Sequence, residues 1–536
     1  MIKRLLSGES KTITSAAIII GAASLVSRLL GVLRDRVLAG EFGAGETLDI
    51  YYAAFRIPDL VYNLLILGAL SAGFIPVFIR YFKKSEDEGW RLAAAVLNVV
   101  IIGVAIISAV LFVFTPWLVS LLAPGFSAAA QASTVTMTRI MFLSPLFLGI
   151  SAVWGGILQS QKKFFVYSLA PIFYNVGIMI GALFFVTPFG IDALAWGVVL
   201  GAFLHMIVQL PSIFGCGFRY RPILSLRHAG VREIIVMMVP RVLGLAVSQV
   251  NLFVVNIIAS MLAAGSIAVF NLANNLQSFP LGIFGVSFAI AAFPTLSAAV
   301  AGESKEEFVK SFSVTARQIL FFIIPLSALF LVLRAQIVRA VLGAGSFDWE
   351  DTILTADALA FFSVSLFAQG LIPLLVRGFF AWSNTMIPLI AGLIGAMVNI
   401  ALAWVLAADY GVAGLALAFS VSSIIQVIIL WLALRHKTNG LDEVNIIFAV
   451  VKISLATLTM SFTTQYLKYV IEPYTGTETF IGIFSQGLLA GLGGILVFIL
   501  VSLFLRSEEM LVFAASFKRR FLRKEAVEKV EEEIES

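Results

Sequence analysis

The stretch RLAAAVLNVVIIGVAIISAVLFVFT, residues 91–115, opens on a charge, Arg91, and carries no other across the 24 residues that follow. As a helix those residues extend about 36 Å, more than the ~30 Å hydrocarbon core of a bilayer. The run therefore reads as a membrane span. Working outward, apolar runs of similar length recur between charged or Pro/Gly-rich breaks. Fourteen result, at roughly 13–39, 51–80, 91–115, 134–159, 165–187, 190–214, 232–263, 266–300, 308–333, 353–380, 385–407, 412–435, 445–467 and 479–505. Composition agrees. The 536 residues are 60% hydrophobic and 12% charged, whereas a soluble domain carries roughly 25% charged residues. Too little polar surface remains to face water, so lipid is the solvent for most of the chain. Lys3, Arg4 and Lys11 before the first run resemble the start of a signal peptide. No small-residue cleavage site precedes a polar mature domain, so a retained first span is expected.

Charge fixes the orientation. With the N-terminus in the cytoplasm, the inner segments receive Lys83, Lys84 and Arg91; Lys162 and Lys163; Arg219, Arg221, Arg227 and Arg232; Lys305, Lys310 and Arg317; Arg435 and Lys437; and the tail around Lys518, Arg519 and Arg520. The outer segments receive only Arg334, Arg339 and Lys468. The ratio is about 26 to 3, and the positive-inside rule then places both termini in the cytoplasm. A miscount of one span near the middle would destroy the asymmetry. The single Cys216 excludes a disulfide framework, and His205, His228 and His436 are too scattered for a metal cage. No Ser/His/Asp set or HExxH motif is present, so neither a catalytic site nor a cofactor is expected. The net charge of +5 lies between apolar runs and serves orientation rather than nucleic-acid binding.

The chain also matches itself. Ser27-Arg28-Leu29-Leu30-Gly31 recurs as Pro240-Arg241-Val242-Leu243-Gly244, Phe74-Ile75-Pro76 as Ala292-Phe293-Pro294, and Gly190-Ile191-Asp192-Ala193-Leu194-Ala195 as Gly411-Val412-Ala413-Gly414-Leu415-Ala416. Six spans separate equivalent points, and an even number gives parallel repeats about an axis along the membrane normal, with the substrate between halves. The expected organisation is an all-α polytopic protein with an N-terminal lobe at 1–228 and a C-terminal lobe at 229–438. Two added helices follow at 439–505, then a charged cytoplasmic tail at 506–536.

The chemistry concentrates in the first two spans, where Arg28, Arg34, Asp35, Arg36, Asp49, Arg56 and Asp59 interrupt apolar sequence. An arginine at a helix centre costs about 2.5–3.5 kcal/mol by insertion measurements, so such residues face protein or a water-filled cavity. Arg34 lies six residues after Arg28, some 9 Å along the axis and about 120° around it, which lets both border one wide cavity. The guanidinium fork suits bidentate phosphate recognition. The competing reading is a structural bridge from Arg28 to Asp49 or another carboxylate, and a solvated helix end for Arg34 to Arg36. Arg241, the repeat equivalent of Arg28, adds positive potential or serves structure. Gly177 and Gly181 form a small-xxx-small pair for helix packing.

Several of these motifs together resemble a known family. Ser27-Arg28-Leu29-Leu30-Gly31, Arg34-Asp35, Phe42-Gly43-Ala44-Gly45, Asp49, Ala54-Phe55-Arg56-Ile57-Pro58 and Gly68-Ala69-Leu70-Ser71-Ala72-Gly73-Phe74-Ile75-Pro76 are similar to the lipid II flippases. Ala123-Pro124-Gly125-Phe126, Phe279-Pro280, Arg377-Gly378-Phe379-Phe380-Ala381 and Thr385 with Pro388 follow in the same order. The resemblance implies fourteen helices: two six-helix lobes around a cationic cavity, plus two C-terminal helices forming a groove for a lipid tail. It implies a substrate of undecaprenyl-pyrophosphate carrying a disaccharide-pentapeptide, moved outward by alternating access. It also places Arg28, Arg34 and Asp49 at functional positions.

This chain departs from the family pattern at Tyr62, where an arginine is usual, and at Leu67, where an acidic residue is usual. Asn274 and Asn275 replace an Asp-Arg pair, and no Asp or Glu stands between Glu233 and Glu303. The expected substrate-binding set is Arg28, Arg34, Asp49, Arg56 and Arg241, with Asn274 and Asn275 supplying neutral hydrogen bonds. An exporter of another lipid-linked saccharide, or a non-transporting scaffold for cell-wall assembly, are the alternatives. Expected partners are the lipid-linked substrate, the bilayer of the bacterial inner membrane and cell-wall synthesis proteins, with no nucleic acid.

Overall fold

The computed structural model describes residues 13–67, 73–476 and 479–515, and these are helical, with no strand. Lipid demands this, because a helix satisfies its backbone groups within one segment. The chain opens with α1 (Ile13–Phe42) and α2 (Glu46–Val61), which widens into a π turn at Tyr62–Leu67, and then α3 (Ile75–Lys84). Next come α4 (Glu86–Leu122), α5 (Ala128–Met141), α6 (Leu143–Ser160), α7 (Phe164–Ile180) with its π turn Gly181–Phe185, the short α8 (Val186–Phe189), α9 (Ala193–Ile207) and α10 (Leu210–Gly215). The following helices are α11 (Ala229–Ser260), α12 (Ser266–Pro280) with a π turn at Leu281–Val286, α13 (Ser287–Ala301), α14 (Lys305–Val332) and α15 (Arg334–Leu342). The chain continues with α16 (Trp349–Ser363), α17 (Leu366–Ala381), α18 (Met386–Thr438), α19 (Glu443–Thr475) and α20 (Phe480–Phe504).

The expected spans lie on these helices or on helix pairs, except that 385–407 and 412–435 share the single helix α18 and 51–80 crosses residues 68–72, which are outside the described residues. Among the described residues nine helices are long and apolar enough to cross a bilayer, and eleven if each of two bent pairs forms one span. One of the nine, α18, has 53 residues, with Gly411 at φ 57, ψ −135 inside it. That is about 80 Å of helix, enough for two crossings, and the sequence reading divides it there.

The internal repeat has a backbone counterpart. Positive φ pairs Gly43 with Gly265, Lys162 with Ser383 and Gly190 with Gly411, each about 221 or 222 residues apart. The order helix, π turn, helix recurs in α2–α3 and α12–α13. Proline interrupts the hydrogen bonding of the second span. Pro58 has no N–H for the Ala54 carbonyl four residues earlier, and the hydroxyl of Thr138 on α5 donates to that oxygen instead at 3.3 Å. Helix starts are set by side-chain acceptors: Ser127 for α5, His228 for α11, Ser304 for α14 and Thr479 for α20.

The chain packs into two compact units. The first runs to Leu272 and adds Val341–Thr355 and Ala396–Leu415; the second comprises Ala273–Ala340, Ala356–Gly395 and the chain from Ala416 onward. In the first unit Phe74, Phe78, Trp90, Leu97, Ile157 and Ile213 belong to one buried core. In the second, Phe308, Phe312, Leu374, Phe379, Leu430 and Leu434 form one core, and Phe321, Ile453, Met460 and Phe498 tie α19 and α20 to α14. The outer faces of α19 and α20 expose Leu455, Leu458, Phe462, Leu492 and Leu496, surface that only lipid covers well. Gly177 and Gly181 meet Gly201 and Gly197 of α9: a Cβ at Gly177 would lie 2.3 Å from the Gly201 Cα, so the pair is a helix-packing device.

Candidate functional site

Arg28 lies near the middle of α1, exposed, with no hydrogen-bond partner among the described residues. The bridge to Asp49 is not made. Arg34 is held firmly. Its Nε and Nη2 donate to Asp35 Oδ1 at 3.0 and 2.8 Å, and its Nη1 donates to Asn175 Oδ1 at 3.1 Å. The Asn175 amide nitrogen in turn donates to the Pro171 carbonyl on α7 at 3.0 Å, which turns its oxygen toward Arg34. Arg36 donates to the Val341 carbonyl at 3.0 Å.

Arg56 differs from Arg34 in its compensation. Its Nη2 donates to Asn271 Oδ1 at 2.7 Å, and Asn271 is oriented by its own donation to the Ile267 carbonyl, also at 2.7 Å. The Nε of Arg56 is buried without a partner among the described residues, as is the Tyr52 hydroxyl. Asp59 stands near enough to feel its charge but accepts from Asn63, at 2.9 Å, and forms no ion pair with Arg56. Tyr51 and Tyr52 border Arg34 and Asp35, while Tyr62 and Tyr174 border Asp59. A polar strip of arginines, amides and phenols thus runs through apolar helices of the first unit.

Asp49 stands in a different setting. It is 3% exposed, and its two oxygens accept from the backbone N–H of Gly265 at 2.6 Å and of Ala268 at 2.8 Å. Both are orphan donors at the start of α12, and the Ala268 N–H is the one that a side chain at the N-cap, Gly265, would ordinarily satisfy. Gly265 has no side chain to do so and has no room for one: a Cβ there would fall 1.9 Å from the Ala44 carbonyl oxygen. Asp49 supplies the cap from α2. Beside it Ala44 N donates to Asp351 Oδ2 at 2.9 Å and Ser346 N to the Gly40 carbonyl at 2.7 Å.

Asn274 and Asn275 belong to the second unit. Asn274 Oδ1 accepts from Gln277, Gln277 Oε1 accepts from Gln369, and Gln369 also donates to Ser365, whose hydroxyl donates to Ser420. This ladder leaves the Asn274 amide N–H groups free among the described residues. Asn275 is also hydrogen-bonded or otherwise engaged. Arg241 lies on α11, but its side chain is outside the described residues, as are residues 68–72 of the second-span motif. Asn175, Asn271 and the Gln277–Gln369 ladder escaped the sequence reading. Their signal was an amide inside an apolar span, which is costly without a partner. No group of three His, Cys, Asp or Glu among the described residues is placed to hold a metal ion.

The family model of the lipid II flippase MurJ matches residues 38–485. This chain belongs to the MurJ family. A lipid II flippase MurJ of Burkholderia cenocepacia is 31% identical over 433 residues, covering 79% of this chain and 84% of that one. A probable MurJ of Thermotoga maritima is 30% identical over 487 residues, 90% of this chain and 95% of its own length. A MurJ structure in an inward closed conformation superposes with a TM-score of 0.76 at 27% identity, covering 91% of this chain and 99% of that one. An inward-facing MATE transporter of the MOP superfamily shares the fold at TM-score 0.65 and 18% identity. As a MurJ family member the chain is a multi-pass membrane transporter; of the arginine strip, Arg56 on α2 lies within the matched region, and Arg28 and Arg34 on α1 precede it.

Proposed function

We propose that this chain flips lipid II from the inner to the outer leaflet of the bacterial cytoplasmic membrane by alternating access, with both termini in the cytoplasm. The observation that carries this reading is Arg56. A guanidinium set among apolar helices has only the neutral Asn271 amide as an acceptor, and its Nε has none. Together with the unpaired Arg28 it leaves positive charge waiting for an anion. A diphosphate headgroup supplies the missing counter-charge, and exchanging a neutral amide for it costs little. Arg34, neutralised by Asp35, positions the α1 end of the strip. Arg241, Asn274 and Asn275 are the further candidates for contact with the headgroup, Asn274 through an amide whose N–H groups are free among the described residues. The polyprenyl tail remains in lipid. Asp49 acts on the outer side by closing the α12 start against α2. Cell-wall synthesis enzymes supply and consume the substrate on the two faces.

The test is rescue of a bacterium depleted of its own lipid II flippase. Wild type restores growth; Arg28→Ala and Arg56→Ala do not, and Arg28→Lys also fails because a point charge cannot replace the fork. Full rescue by Arg28→Ala and Arg56→Ala together would overturn the assignment. An exporter of a related saccharide lipid, favoured by the neutral Asn274 and Asn275, would instead show binding of other undecaprenyl-diphosphate glycans without rescue.

A further inference from the structure

Outside the arginine strip, the first unit carries a cavity of about 640 Å³ between α6, α8 and α9, within the roughly 300–1,000 Å³ of small-molecule sites. Its floor is Phe147 on α6 against Phe203 on α9, edge to face with ring centroids 5.5 Å apart. Its walls include Phe185, Phe189 and Trp196. Phe189 and Trp196 are exposed rather than packed away, so the cavity opens on the face a bilayer covers. The one charged residue of its lining is Asp192, at the start of α9.

Asp192 is a carboxylate at the N-cap of α9 that does not cap: its side chain accepts nothing from the helix start. Its Oδ1 is buried with no hydrogen-bond partner among the described residues. From Asp192 to Phe203 the groove follows α9 for about 16 Å, close to half of the ~30 Å hydrocarbon core. Length, apolar lining and a single acid at the interface therefore describe one leaflet's depth of acyl chain, ending at a cation. Aromatic residues at such a depth are what a lipid interface favours.

We infer that this groove binds a resident phospholipid whose headgroup ends in an ammonium, one acyl chain lying along α9 and the ammonium on Asp192. The orientation proposed above puts that lipid in the outer leaflet. Neither its binding nor its test requires the chain to transport anything. A phosphoglycerol headgroup has no cation to offer Asp192 and is disfavoured.

The experiment is native mass spectrometry of the full-length protein titrated with dioleoyl phosphatidylethanolamine or dioleoyl phosphatidylglycerol, without lipid II. Wild type should retain the ethanolamine lipid about tenfold better, the discrimination one charge-assisted hydrogen bond supports. Asp192→Asn should bring the ratio close to one while keeping both adducts, and Asp192→Lys should invert it. Leu200→Trp, which fills the groove, should remove the tight adduct of either lipid. Its melting temperature must match wild type, and Trp196→Ala, with weakened adducts, serves if it does not. Equal retention of both lipids by wild type, or an unchanged ratio in Asp192→Asn and Asp192→Lys, overturns the inference. Displacement of the adduct by lipid II alone, and not by the ethanolamine lipid, would reassign the groove to the substrate's tail.

Discussion

Removing the Asp49 carboxylate tests the structure most directly. Asp49→Ala deletes two buried acceptors, one for Gly265 N and one for Ala268 N. Each hydrogen bond to a charged group contributes about 1.5–3 kcal/mol, so the pair amounts to roughly 3–6 kcal/mol between α2 and the α12 start. That shifts an equilibrium between joined and parted forms by about a hundredfold to ten-thousandfold. Asp49→Asn keeps one acceptor oxygen and loses the charge, for roughly half the effect. Ser266, 5% exposed beside Gly265, is the reporter: Ser266→Cys is nearly isosteric, and Cys216→Ser removes the only native thiol. In intact cells a membrane-impermeant maleimide should label this cysteine slowly in the parent, at least about tenfold faster in Asp49→Ala, and at an intermediate rate in Asp49→Asn. Rescue of growth should fall in the same order, because a cycle that cannot close outward stalls. Labelling of Asp49→Ala within about twofold of the parent, well below the tenfold that 1.4 kcal/mol represents, would refute the argument that this cap holds the outer side closed.

Further outcomes follow from other contacts. Gly177→Ala places a methyl against the Gly201 backbone and should destabilise the α7–α9 pair by about 1–3 kcal/mol, seen as a lower melting temperature and reduced membrane yield. Asn271→Leu removes the one acceptor of Arg56 among the described residues and should weaken binding of an undecaprenyl-diphosphate ligand less than Arg56→Ala does, since the headgroup itself supplies an acceptor; a larger loss would make Asn271 the ligand and Arg56 its support. At the start of α4, the Arg221 hydrogen bond and Arg91 hold the Asp87 carboxylate below its ordinary pKa. A depressed carboxylate adds stability above its unfolded value and loses it as pH falls through the folded one. The melting temperature of wild type should therefore exceed that of Asp87→Asn at neutral pH and converge on it below about pH 4; a constant gap would show the charge plays no part.

Much of the fold was legible because lipid leaves the chain few choices. Apolar length marks the spans, and lysine and arginine mark the inner face. The interruptions were less so. Pro58 announces a weak point, but the hydroxyl that takes the carbonyl it abandons belongs to Thr138, 80 residues downstream. The site divides along the same line. Arg28, Arg34 and Arg56 stand out as charges where charge is costly, yet sequence cannot say which of them is already compensated. Arg34 finds Asp35 next door and Asn175 on α7; Arg56 finds only Asn271 on α12. Asp49 shows the limit most clearly. Its partners are two backbone N–H groups, which leave no trace in the identity of the residues that carry them. The one legible sign was a helix starting after Ala264-Gly265 with no capping side chain of its own, and the repeat adds meaning to it. Gly43 and Gly265 occupy equivalent turns, before α2 and α12 respectively, so an acid near the start of one repeat's helix caps the start of the other's. A carboxylate with both oxygens filled by buried backbone donors has none left for an anionic headgroup, which it would in any case repel. An arginine with an empty Nε has a donor left to give. Of the charges in the first two spans, Asp49 is therefore held in a backbone contact and Arg34 in an ion pair, while Arg28 and Arg56 keep donors without partners among the described residues.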